Sequence, residues 1–244
     1  MKYGIISDIH SNIEALDKVL DNMEKVDAII CLGDIVGYGA NPNECISRVK
    51  EIKSRCIAGN HDLAAVKKLD VNFFNDEARA AIQWTSKKLT RENICYLESL
   101  KEKLYLQNNV YAIHGSPGNN KWDYIDHRSI AAMIFEKYIF DIIFIGHSHI
   151  AGCFVLEKTK RRVDYIDLTL GGHILFLENR RYIVNCGSVG QPRDGNSKAS
   201  YGIYNDKKKE IIVKRINYPI FLAQKKILNA GLPKVFADRL KIGR

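Results

Sequence analysis

Five of the seven histidines in this 244-residue chain, His10, His61, His114, His147 and His149, stand at or just past the end of an apolar run. Each is flanked by Gly, Ser, Asn or Asp, in the fragments Asp8-Ile9-His10, Gly59-Asn60-His61-Asp62, Ala112-Ile113-His114-Gly115 and Gly146-His147-Ser148-His149. A further carboxylate closes the run Cys31-Leu32-Gly33-Asp34, where glycine permits close backbone approach. Along a strand, side chains alternate, so Asp8 and His10 are expected to project the same way with Ile9 turned to the core. The Gly146–His149 fragment repeats that spacing. Hard carboxylate oxygens together with imidazole nitrogens suit Mn, Fe, Co or Zn. One D-x-H or H-x-H is commonplace, but buried charges need partners. Five such fragments in one chain find those partners in two metal ions.

The elements that must position these residues follow from hydrophobic periodicity. Residues 3–7 and 28–32 read as buried strands and 54–58 as a weaker one. Segments 12–24 and 43–52 carry helical spacing, as in Ile13, Leu16, Val19, Leu20 and Met23. Such strand–helix–strand units imply right-handed crossovers and a parallel sheet. Residues 75–100 read as helical, with Thr90 capping a second helix through Leu97. Strands are expected at 109–113 and 141–145 around a helix near 127–138. Short strands follow at 151–156, 163–168, 174–177, 181–185, 201–205 and 210–216. An early parallel sheet and a late, mostly antiparallel one would pack face to face with helices outside. The tail reads as a helix over 219–229, stopped by Gly231, and a last one opened by Pro233. In an open sheet, strand carboxyl ends form the crevice where ligands bind, which is where the histidines fall. No linker or repeat interrupts the chain, so residues 1–244 are expected to form one domain.

The composition, 46% hydrophobic and 27% charged, is that of a globular protein. No apolar run approaches the ~20 residues of a membrane-spanning helix, and the first apolar stretch, ending at Asp8, is too short for a secretory signal. The expected location is the cytoplasm, and no membrane partner is expected. The six cysteines form no C-x-x-C pair and read as reduced, core or near-core thiols. The net charge of +9 raises the question of nucleic acid. The basic clusters Lys158-Thr159-Lys160-Arg161-Arg162 and Lys207-Lys208-Lys209 nevertheless look like solvated turns, so a nucleic-acid partner is not favoured.

The ordered set D-x-H, G-D, G-N-H-D, H-G and G-H-S-H resembles the calcineurin-like metallophosphoesterase superfamily. The stretch Asn185-Cys186-Gly187-Ser188-Val189-Gly190-Gln191-Pro192-Arg193-Asp194 resembles the downstream motif of its compact prokaryotic phosphodiesterase-like branch, as does the ending from Gly231-Leu232-Pro233 to Leu240. Cys186 departs from the proline usual there. The resemblance implies an α/β, four-layer αββα sandwich of two packed mixed sheets flanked by helices. It implies that Asp8, His10 and His149 bind one metal and Asn60, His114 and His147 a second, with Asp34 bridging them. His61 would then meet the phosphate and leaving group, with Asp62 orienting its ring.

Two divalent ions bring four positive charges, of which Asp8 and Asp34 cancel two. The remainder attracts a phosphate and lowers the pKa of a bridging water for in-line attack. Manganese is the expected cofactor, with Fe, Zn, Co or Ni as alternatives. The expected substrate is a phosphate ester, with diesters and nucleotide-derived compounds favoured. A monoester or phosphoprotein phosphatase and a non-catalytic scaffold are the alternatives. Arg193 is expected to contact phosphate, the alternative being an ion pair with Asp194. Tyr38, on the loop after Asp34, either stacks on a substrate base or packs. His127 and His173 lie outside the motifs and read as surface residues in a helix start and a Gly-Gly turn.

Overall fold

The computed structural model describes residues 1–107, 109–118, 122–159 and 162–244. Two six-stranded mixed sheets pack face to face, with helices on both outer sides. The first sheet contains β1 (Lys2–Ile6), β2 (Ala28–Cys31), β3 (Arg55–Cys56), β9 (Gly172–Leu175), β11 (Ala199–Asn205) and β12 (Glu210–Ile216), in the order β3-β2-β1-β11-β12-β9. The second contains β4 (Lys103–Gln107), β5 (Val110–Ile113), β6 (Ile142–Ile145), β7 (Gly152–Glu157), β8 (Arg162–Asp167) and β10 (Arg180–Asn185), in the order β4-β5-β6-β10-β7-β8.

The expected division into an early parallel and a late antiparallel sheet does not hold. Late strands are shared out: β11 pairs antiparallel with β1, and β10 pairs parallel with β6. Each sheet therefore has a parallel side and an antiparallel side. Period-two burial explains why continuous apolar strands serve both faces. In β1, Tyr3 and Ile5 face the other sheet while Ile6 faces the helices; in β6, Ile142 and Phe144 face inward and Ile143 and Ile145 outward. Tyr204 and Phe144 meet across the sheets with ring centroids 5.1 Å apart. Each such side chain contributes roughly 1.5–3 kcal/mol by leaving water.

On the first sheet lie α1 (Ile13–Asn22), α2 (Pro42–Glu51), α4 (Asp76–Lys88), α5 (Arg91–Ser99), α7 (Ile220–Asn229) and α8 (Lys234–Ile242); α6 (Arg128–Lys137) covers the second. Thr90 caps α5 as expected, its hydroxyl accepting from the Asn93 N–H at 3.3 Å. Three elements went unread: β4, a short 3-10 helix at Val71–Phe73, and the six-residue helix α3 (Asn60–Ala65), which begins at a candidate ligand. His173 belongs to β9 instead of a turn and pairs with Glu210 at 2.9 Å. Cys95 is exposed, correcting the reading of all six thiols as core or near-core. Cys186 fills space beside Gly202, where an added Cβ would lie 2.5 Å from its sulfur.

Among the described residues no helix is long and apolar enough to cross a membrane. Lys209 pairs with Asp206 and Lys208 with Glu210 at the β11–β12 turn. Lys160 and Arg161 of the other basic cluster lie outside the described residues.

Candidate metal centre

Asp8, His10, Asp34, Asn60, His61, His114, His147 and His149 are all buried and lie on segments that follow strand ends. The pleat does not place them: β1 ends at Ile6, and Asp8 and His10 sit in left-handed backbone with φ of 53° and 48°. Asp34, His147 and His149 do the same at 51°, 67° and 59°. Such a conformation costs on the order of 1–3 kcal/mol for each non-glycine residue and persists only where the surroundings enforce it. Here neighbouring loops enforce it with hydrogen bonds. Asp8 N–H donates to Gly33 O (3.0 Å), His10 N–H to Asp34 O (2.9 Å), Gly190 N–H to Asp8 O (3.0 Å) and Arg193 N–H to His149 O (3.2 Å). Ser188 Oγ–H also donates to Asp8 O at 2.8 Å, and Asn185 Nδ2 donates to Gly146 O at 2.8 Å. Gly59 is obligatory, because a Cβ there would come within 2.0 Å of Asp34 Oδ1.

The side chains form two clusters that share Asp34: Asp8, His10, Asp34 and His149, and Asp34, His114 and His147. In the first, His10 Nε2 and His149 Nε2 are 3.0 Å apart, and His149 Nε2 is 3.3 Å from Asp8 Oδ1. In the second, His114 Nε2 is 3.2 Å from Asn60 Oδ1. Asp34 Oδ2 joins them, at 3.5 Å from His10 Nε2 and 3.3 Å from His114 Nε2. Three rings use Nδ1–H to donate to a backbone carbonyl: His10 to Val36 (3.2 Å), His114 to Leu32 (2.8 Å) and His149 to Gln191 (2.6 Å). That fixes the tautomer and turns the Nε2 lone pairs inward.

Facing lone pairs repel unless a cation lies between them. A metal–ligand distance of about 2.1 Å sets neighbouring donors about 3.0 Å apart in an octahedron and about 3.4 Å in a tetrahedron. The measured separations of 3.0–3.5 Å fit a divalent ion in each cluster.

Protonation agrees with this donor set. Burial holds the His10 and His149 imidazoles below their ordinary value and pushes His147 down to about 3. For Asp8 and Asp34, burial disfavours charge, but the surrounding imidazoles outweigh it and hold both carboxyls ionised. At His114 burial is outweighed by Asp34, which draws the imidazole up to about 10. A metal ion bound by His114 would take the place of that proton.

His61 lines the adjoining cavity, and its Nδ1 has no hydrogen-bond partner among the described residues. Asp62 does not orient it. The two Asp62 oxygens accept from the backbone N–H groups of Gly59 (3.0 Å) and Val36 (3.1 Å), because the carboxylate at the first turn of α3 is aimed at the loops. Burial, with Asp34 nearby, pushes Asp62 up to about 8, and burial pushes His61 down to about 4. Asp62 is thus a positioning residue. Tyr38 packs: its ring lies 4.4 Å from both His10 and His61 and 4.6 Å from Phe236, so its faces are not free for a base. Its hydroxyl accepts from Arg193 Nη2 at 3.1 Å. Arg193 does not pair with Asp194, which is held by Arg215.

The cavity over the centre has a volume of about 340 Å³ and is also lined by Phe73, Phe74, Trp122, Tyr124, Arg239 and Arg244. The sequence reading did not find these residues. The arginines lie in or beyond a tail read only as packing, and the aromatics carry no motif.

Fold and centre define a metal-dependent phosphoester hydrolase. Residues 1–209 match the model of the calcineurin-like phosphoesterase superfamily domain, and the chain belongs to that superfamily. It is similar to an uncharacterized protein of Methanocaldococcus jannaschii, with 38% identity over 99% of this chain and 98% of the relative. Among solved structures it is similar to a metallophosphoesterase from Sphaerobacter thermophilus, with a TM-score of 0.88, 36% identity and full coverage of both chains. A hypothetical protein of Pyrococcus horikoshii shares the fold, with a TM-score of 0.79, 18% identity and coverage of 100% of this chain and 98% of that one.

Proposed function

We propose that the protein hydrolyses phosphodiesters, using two divalent ions, manganese first among them, held by Asp8, His10 and His149 and by Asn60, His114 and His147, with Asp34 common to both. The observation that carries this reading is the position of Asp34 Oδ2 between His10 Nε2 and His114 Nε2. Bound there, the ions would supply charge for the phosphate and an activated water for in-line attack. The chain's own residues do the rest. His10, His114 and His149 are oriented by their carbonyl partners, and Asp62 pins the loops around Gly59 and Val36. His61, neutral and buried, offers a hydrogen bond to a phosphate oxygen. Arg193, held by Tyr38 and by Gln191 Oε1 at 3.0 Å, faces the same cavity.

Room on two sides favours a diester. Asn60 lines both the cavity over the centre and a second one, also of about 340 Å³, that runs past His114 to Ser116 and Tyr138. Each could take one ester arm. A cytoplasmic setting accords with six unpaired thiols.

The test uses manganese-loaded protein on bis(p-nitrophenyl) phosphate and p-nitrophenyl phosphate. The diester should turn over faster, and Asp34→Asn should lose both activity and bound metal. A variant that keeps full metal and full turnover would remove the basis of the proposal.

A further inference from the structure

We propose that the cavity over the metal centre contains a second anion subsite, built by Arg239 and Arg244 beside Arg193, so that the substrate is nucleotide-like and carries a phosphate besides the one that reacts. This rests on the phosphoesterase reading above and names the substrate class of the same site.

The first support is charge. Three arginines line one cavity in which Asp34 is the single acidic side chain among the described lining residues. Asp34 is committed to His10 and His114, and the nearby Asp194 is committed to Arg215 with both side chains almost fully buried. Arg193 spends Nη2 on the neutral partners Tyr38 and Gln191, and Arg239 lies over the Phe236 ring at 5.9 Å. None of the three arginines pairs with a carboxylate among the described residues. Planar guanidinium forks match phosphate oxygens two at a time. The reacting phosphate already has the metal centre and Arg193, so two further arginines exceed what it needs.

The second support is the way the tail is fixed. Phe236 of α8 packs tilted against Tyr38, which itself touches His10 and His61. Past the helix end, Gly195 N–H donates to Gly243 O at 2.8 Å. A Cβ on Gly243 would come within 2.6 Å of the Asn196 backbone, so the tail lies tight against the loop that carries Arg193. Backbone contacts therefore hold the segments that carry the three arginines around one cavity.

The third support is the opposite wall. Trp122 lies 4.7 Å from Phe74 and 5.8 Å from Phe73, and Phe73 is 72% exposed. Tyr124 stacks on His147 at 4.2 Å. Exposed aromatic faces beside a cationic surface are the means by which proteins hold a base next to its phosphates.

The experiment compares two chromogenic diesters, thymidine 5′-(p-nitrophenyl phosphate) and the same compound with a 3′-phosphate. Wild-type protein should favour the second in kcat/KM by about tenfold or more, and that preference should fall as sodium chloride is raised. The Arg239→Ala/Arg244→Ala variant should lose at least about tenfold more on the 3′-phosphorylated probe than on the other, with bound metal unchanged. Should that variant fail to fold, the salt dependence of the wild-type preference decides the matter. Equal kcat/KM on both probes in wild type, or a preference that survives salt and both substitutions, would overturn the subsite. Failure to hydrolyse either probe with metal bound would instead overturn the phosphodiesterase reading.

Discussion

In the half of the centre formed by Asp8, His10 and His149, both imidazoles are locked through Nδ1 to the carbonyls of Val36 and Gln191. In the half formed by Asn60, His114 and His147, His114 is locked in the same way by Leu32, but His147 Nε2 has no hydrogen-bond partner among the described residues. Its ring is held instead by stacking on Tyr124, which is itself 43% exposed. One half is thus preorganised by backbone, the other partly by a surface ring. Outer partners of a metal ligand are typically worth 10–100-fold in affinity, so the two halves should hold their ions unequally. The half with His147 should release first, and activity should disappear with that release.

Substitutions can sharpen or break this contrast. The largest effect is expected from His149→Ala, which removes an imidazole from the locked half. Turnover of bis(p-nitrophenyl) phosphate should fall by about a hundredfold or more, beyond the loss of an outer partner. A loss no greater than that of His147→Ala would erase the asymmetry. His61→Ala comes next. With Asp62 engaged by backbone and burial outweighing the pull of Asp34, the ring is neutral, so the loss of about a hundredfold should be equal on alkyl and nitrophenyl esters with both ions retained. A loss confined to alkyl esters would instead make His61 the acid that protonates the leaving group. Tyr124→Ala should weaken one ion by about tenfold and spare the other, read by chelator titration. The smallest effect belongs to Tyr38→Phe. It deletes one hydrogen bond to Arg193, worth about 1 kcal/mol, and should raise KM by about fivefold with metal content unchanged.

The candidate positions were legible because strand ends and polar residues coincide, and Asp8, Asp34, His114 and His147 do follow β1, β2, β5 and β6. Their aim was not legible. Left-handed backbone at Asp8, His10, Asp34, His147 and His149 is imposed by loops such as 188–193, far away in sequence. Helix α3 is too short to show a period, and β4 carries an alternation, Leu104 and Leu106, that only its partner β5 makes decisive. Asp62 looked like a partner for His61 because it is adjacent in sequence, yet α3 turns its carboxylate to Gly59 and Val36. Arg239 and Arg244 gave no signal at all, since a basic residue on or just past a terminal helix is ordinarily solvated.

Metal content against turnover tests the central claim most directly. Chelator-treated protein is titrated with manganese while bound metal and bis(p-nitrophenyl) phosphate hydrolysis are followed together. The two overlapping clusters around Asp34 predict about two ions per chain, bound in sequence, with hydrolysis rising as the second one binds. Full hydrolysis at one ion per chain, or with none, would contradict the two-ion account.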